Sequence, residues 1–231
     1  LLFVAFCNVS LWAQEQKMSE SEVVSFKQSV AVVAKKIKTL AVIGPLAKGV
    51  HYGGYTSEPR TGIDVLDGLS SFASKDFKVI YAEGCKLALE ESSFSGNLIH
   101  TPNTIEDDKR LIKEAVEVAK KSDVIVLAIG ETVAFCREAW GENHLGDRNS
   151  LELLGLQNEL VTELLSTGKP IVAVLFGGRP LAINDVKKNV PAVLQAFYLG
   201  QEGGHALANV LFGKVNPSGK LAITMPKSVG E

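Results

Sequence analysis

Residues 130 to 150 read GETVAFCREAWGENHLGDRNS, a segment with three glutamates, an Asp-Arg pair, a histidine and one of the chain's two tryptophans. Four carboxylates fall in it, Glu131, Glu138, Glu142 and Asp147. Carboxylates are the groups suited to general acid and base work, because they can give a proton and later recover it. Their plainer reading is as solvated loop acids. Trp140 lies two positions after Glu138, and an indole beside a carboxyl group both desolvates it, raising its pKa, and offers an aromatic face on which a sugar ring stacks. Glu138 is therefore the favoured acid. Asp147 beside Arg148 reads instead as an ion pair that pins the loop.

Other chemistries are set aside by the same inspection. The run GPLAKGV (44 to 50) has the glycine spacing of a phosphate loop but places Val50 where the lysine is needed. No G-x-G-x-x-G follows a strand-like run, and neither G-x-S-x-G nor H-E-x-x-H occurs, which removes the dinucleotide, α/β-hydrolase and zincin signatures. His51, His100, His144 and His205 are too dispersed for a metal set, so no metal and no cofactor is expected. Cys7, Cys85 and Cys136 lack metal-site or dithiol spacing and are too few for a disulfide framework. With a formal net charge of -2 and scattered Lys and Arg, the chain shows no footprint for nucleic acid or an anionic membrane.

The loop needs elements to position it. Apolar, β-rich runs occur at 39 to 44, 77 to 84, 123 to 130, 170 to 178 and 192 to 200, several ending in glycine. Between them lie helical patterns: Ile63, Leu66 and Leu69; Leu111, Ile112, Ala115, Val116 and Ala119; Leu156, Leu160, Val161, Leu164 and Leu165; and Ala206, Val210 and Leu211. Thr104 with Asp107 three residues on makes a capping box for the second helix. Gly168 followed by Pro170 ends the third. Strands apolar on both faces and alternating with helices predict an α/β fold, a three-layer sandwich whose mostly parallel sheet is covered by helices on both faces. At 231 residues the chain suits one substantial core. In such sheets ligands bind beyond the carboxyl ends of the strands, and the long 131 to 154 connection lies there, as do GPLAKGVHYGGYTSEPR, GGRP and GQEGGH.

At the amino terminus, LLFVAFCNVSLWAQ resembles the apolar part of a signal peptide with cleavage after Ala13, and residues 14 to 30 turn abruptly polar. It is too short to span a bilayer. Residues 1 to 30 are accordingly expected to be a signal peptide and polar leader, and the product secreted or periplasmic.

Taken in order, AVIGP...YGGYTSEP, DVIVLAIGE...REAWGENHLGDRNSLEL, TGKPIVAVLFGGRPL and AFYLGQEGGHALANVLFGKVNPSGKLAITMP resemble the C-terminal α/β-sandwich domain of family 3 glycoside hydrolases, the β-glucosidases and β-xylosidases. The resemblance covers about residues 38 to 228, and the block from Gly200 to Pro226 is its most specific part. It implies a retaining glycosidase whose substrate is a β-linked glycoside or oligosaccharide, and a domain, residues 31 to 231, that packs on an N-terminal (β/α)8 barrel. In that comparison Glu138 takes the place of the acid/base and Glu142 is the runner-up, while the nucleophile is an Asp of the barrel within a Ser-Asp-Trp type motif that this sequence does not contain. Trp140, Tyr52 and Tyr55 are expected to contact substrate, the tyrosines on the aglycone side of the cleft; packing of the tyrosines against the barrel is their alternative. The chain without a barrel is expected to be inactive. Two other readings remain open here: a catalytically silent carbohydrate-binding or interaction module, and a flavodoxin-like domain sharing only the architecture.

Overall fold

The computed structural model describes residues 37–57, 61–89, 92–94, 97–100, 103–138 and 148–230. The proposed leader, Trp140, Glu142 and Asp147 lie outside the described residues. The elements run β1 (Thr39–Ile43), α1 (Val65–Ser70), β2 (Lys78–Ala82), β3 (Ser92–Phe94), β4 (Asn97–His100), α2 (Ile105–Lys120), β5 (Val124–Gly130), α3 (Val133–Cys136), α4 (Gln157–Ser166), β6 (Ile171–Phe176), α5 (Asn184–Asn189), β7 (Ala192–Phe197) and α6 (Gly203–Leu211). Five strands form one sheet in the order β2-β1-β5-β6-β7, with every pairing parallel.

Each apolar run of the sequence became one of these strands, because a strand covered on both sides needs apolar residues at every position. All seven residues of β5 and all six of β6 are buried. Alternate residues serve opposite faces. Leu40, Val42, Val126 and Val174 pack with Leu69, Leu207 and Leu211 of α1 and α6. Ala41, Ile43, Ile125, Leu127 and Leu175 pack with Ile112, Leu160, Leu164 and Val186 of α2, α4 and α5. This gives the expected three layers.

Helix ends follow local chemistry. Thr104 Oγ1 accepts from the Asp107 amide at 3.0 Å and caps α2, as the capping box predicts. Asp64 caps α1 through the Asp67 amide and also accepts from the Gly49 amide at 2.9 Å, tying the loop after β1 to that helix. The antiparallel β3–β4 hairpin and the short helices α3 and α5 were not anticipated. They are only three to six residues long, too short for a periodic pattern to register.

The strand order turns back on itself between β1 and β5, with β2 on one side of β1 and all later sheet strands on the other. Loops leaving β1 and β5 thus diverge at a topological switch point. Gly44 and Gly130 end these two strands with φ of 124° and 132°. A Cβ on either would lie 2.1 Å from the Ala128 carbonyl oxygen or 2.0 Å from that of Phe176, so only glycine lets both chains leave the sheet here. At the far edge, β6 and β7 shift register after Leu175 and pair Phe176 with Phe197. Phe197 has φ of 55°, the one left-handed non-glycine among the described residues. Such a conformation costs about 1 kcal/mol or more and persists only where its surroundings impose it.

Candidate active site at the carboxyl edge of the sheet

Glu131 follows Gly130 directly, and the structure corrects its reading as a solvated loop acid: it is fully buried. Arg179 grips its carboxylate with two bonds, Nε to Oε1 at 2.7 Å and Nη2 to Oε2 at 3.0 Å. Arg148 Nη1 adds a third at 3.0 Å. The guanidiniums then reach the backbone, Arg179 to the Ser150 carbonyl and Arg148 to that of Glu152, both at 3.1 Å. These bonds hold the Arg179 guanidinium above its ordinary pKa. A buried carboxylate needs such partners, since an unpaired one would carry a large desolvation cost. Arg148 pairs with Glu131 at the end of the loop, while the expected pairing of Arg148 with Asp147 lies outside the described residues.

Gln157, also fully buried, reinforces the same point. Its amide forms a pair with the Gly130 backbone, accepting from the amide at 2.8 Å and donating to the carbonyl at 2.9 Å. A side chain from the start of α4 thus continues the hydrogen bonding of β5 at the place where the chain leaves the sheet.

From this anchor the chain makes the single turn of α3 and then straightens at Arg137, with φ −84° and ψ 174°. Glu138 follows and is exposed. Cys136, the last residue of α3, donates its thiol to the Thr132 carbonyl at 3.1 Å and lies 3.5 Å from the Tyr198 hydroxyl. Burial pushes both the Cys136 thiol and the Tyr198 phenol upward, so both keep their protons.

On the other side of the switch point, Tyr52 donates its hydroxyl to the Thr61 carbonyl at 2.7 Å, within its own loop. Tyr55 stands entirely exposed. His51 points inward, donating Nε2 to the Leu46 carbonyl at 3.2 Å and meeting Phe176 edge-on at 5.6 Å. A cleft beside it, lined by Gly49, Asp64, Gly200 and Gly203 among others, holds ≈ 20 Å³. That is room for about one water and far below the roughly 300–1,000 Å³ of a small-molecule pocket. No group of three His, Cys, Asp or Glu among the described residues could hold a metal ion, and no described helix is long and apolar enough to cross a membrane.

Sequence reasoning picked out Glu138, Tyr52 and Tyr55, which the structure places on loops from the same edge of the sheet, and it overlooked Tyr198, Gln157 and the role of Arg179. A signal for Arg179 existed. Glu131 and Arg179 each come just after a strand, and parallel neighbours in register bring such positions together, here through Gly130 opposite Phe176.

The arrangement defines a class first: a doubly wound parallel domain whose exposed carboxylate rides on a loop fastened at its switch point. Residues 32–231 match the model of the glycosyl hydrolase family 3 C-terminal domain, and the chain belongs to that family. It is 38% identical over 226 residues to a β-xylosidase of Formosa agariphila, covering 93% of this chain and 28% of that one. A periplasmic β-glucosidase of Salmonella typhimurium is 34% identical, with 94% of this chain and 29% of that one covered. Among solved structures, a β-glucosidase of Erythrobacter marinus superposes with a TM-score of 0.75 at 42% identity, over 85% of this chain and 27% of the other. The chain thus spans under a third of the length of these relatives.

Proposed function

We propose that this chain is the acid/base-bearing C-terminal domain of a retaining β-glycosidase acting on β-glucosides or β-xylosides, with Glu138 as the acid/base and Glu142 as second candidate. The observation that carries the reading is the build of the β5 loop. Its first carboxylate, Glu131, is buried and locked between two arginines, whereas Glu138 stands exposed at the sheet edge. The names of the relatives, β-xylosidase and β-glucosidase, supply the substrate class.

In the first step a carboxylate nucleophile, contributed in this reading by a (β/α)8 barrel domain, attacks the anomeric carbon. The Glu138 proton passes to the glycosidic oxygen and the aglycone leaves. In the second, the Glu138 carboxylate takes a proton from water, whose oxygen displaces the nucleophile from the anomeric carbon. Retaining enzymes place the two carboxyl groups roughly 5–5.5 Å apart. Trp140, Tyr52 and Tyr55 are proposed to face the sugar, Tyr55 with its whole ring available. Export to the periplasm or the medium belongs to the same proposal and is tested by sequencing the amino terminus of the secreted product.

The test is Glu138→Gln in a complete glycosidase carrying this loop. Hydrolysis should slow by roughly 10²–10⁴-fold for poor leaving groups, which depend on protonation, and much less for activated aryl glycosides, with azide restoring part of the latter turnover. An equal loss across all leaving groups excludes the assignment.

A further inference from the structure

Glu138 lies two residues after Cys136 at the end of α3, and the group that meets the Cys136 thiol comes from the end of the edge strand β7. Tyr198 follows Phe197, the left-handed residue at the register shift of β7. An extra residue at such a bulge interrupts the strand's alternation and re-aims the side chains beyond it. The Tyr198 ring lies across the strand ends. A Cβ on Gly178 would be 3.1 Å from its Cε2, and one on Gly53 would be 3.9 Å from its Cδ2. The Gly178 backbone hydrogen-bonds the phenol oxygen, and Cys136 Sγ lies 3.5 Å from it. Because the Cys136 thiol is donated to the Thr132 carbonyl, the Tyr198 hydroxyl is the donor in the Tyr198–Cys136 contact. One phenol therefore bonds groups on the loops leaving β5 and β6, with its ring beside Gly53 of the loop leaving β1.

We propose that Tyr198 is a positioning residue for the acid/base: held by the Gly178 backbone, its hydroxyl fixes Cys136, and Cys136 fixes the carboxylate two residues further on. The inference rests on the reading of Glu138 as the acid/base. The glycine at 178 is part of the device, since a side chain there would press on the ring. So is the bulge, because it accounts for an unfavourable φ at Phe197 that the pairing of an unbroken strand would not require. Anchoring of this kind serves proton transfer, where a displacement of about 1 Å costs on the order of 10²-fold.

Two measurements test it. In the full chain, amide hydrogen exchange over residues 133–138 should quicken at least several-fold in Tyr198→Phe, with β5 and β6 unchanged. Unchanged exchange over 133–138 overturns the proposal. Activity is read with the chain joined to the amino-terminal portion of the Formosa agariphila β-xylosidase in place of that enzyme's matching segment. Tyr198→Phe should lower kcat roughly tenfold for poor leaving groups, leave KM within about twofold, and spare activated substrates. Cys136→Ser, which keeps an acceptor for the phenol, should stay near the parent; Cys136→Ala should match Tyr198→Phe, and the double variant should be no worse than either. Equal losses for all leaving groups, or additive losses in the double variant, overturn the proposal. If exchange quickens but Glu138→Gln shows no leaving-group dependence, the anchoring stands and the acid/base assignment fails.

Discussion

His51 has a pKa lowered from the ordinary 6.5, first by burial, against which the Leu46 carbonyl bond and the charge of Asp64 act in the opposite direction. The folded chain therefore holds this imidazole neutral at pH values where the unfolded chain protonates it. As pH falls below about 6.5, the unfolded state binds the extra proton first, so stability declines with falling pH until the folded-state value is passed. His51→Gln retains a donor for the Leu46 carbonyl but does not titrate. Urea midpoints measured between pH 7.5 and 5 should fall more steeply for the parent than for His51→Gln; parallel profiles would contradict the assignment. At this scale the sequence was readable only in part. His51 drew notice only as one of four dispersed histidines, and Glu138 was singled out because an indole stands two positions after it. Tyr198 was hidden inside an apolar run read as plain strand, since a register shift leaves no mark in composition, and Tyr52 and Tyr55 drew attention through their glycines instead.

The two ends of the β5 loop are held together by charged side chains. Glu131 and Arg148, seventeen positions apart, meet at its base, and Arg179 joins them from the end of β6. Removing the central carboxylate leaves two guanidiniums that are mostly covered, at 18% and 23% side-chain exposure. Glu131→Gln should cost about 3 kcal/mol, the lower end for breaking a buried pair, because each arginine keeps some contact with water. Arg148→Met should cost less, since Arg179 still holds the carboxylate by two bonds. Urea denaturation checks both, and a loss below about 1 kcal/mol for Glu131→Gln would show that the clamp contributes little. The larger elements were legible because a buried parallel strand and an amphipathic helix each impose a pattern over many residues. The clamp of Glu131 by Arg148 and Arg179 was not legible, because Glu131 and Arg179 meet through sheet register rather than through nearness in sequence.

At the scale of the whole molecule, the sheet order brings the loops after β1, β5, β6 and β7 to one edge, with the candidate acid exposed there. A retaining mechanism requires two carboxylates acting as a unit, so that loss of either removes most of the rate rather than half of it. In the proposed reading the second carboxylate belongs to another domain, together with most contacts to the sugar ring, and the chain covers 28% of the β-xylosidase and 29% of the β-glucosidase it resembles. Residues 31–231 expressed alone should therefore fold but leave aryl β-glucosides and β-xylosides unhydrolysed above background. Circular dichroism establishes folding, and release of the aryl group over hours measures turnover. Clear turnover that disappears in Glu138→Gln would mean that a carboxylate of this domain serves as nucleophile, with Glu142 and then Asp147 the first to substitute. Turnover that survives Glu138→Gln would instead remove Glu138 from the mechanism and leave the family's chemistry in this chain to be carried by other groups of the β5 loop.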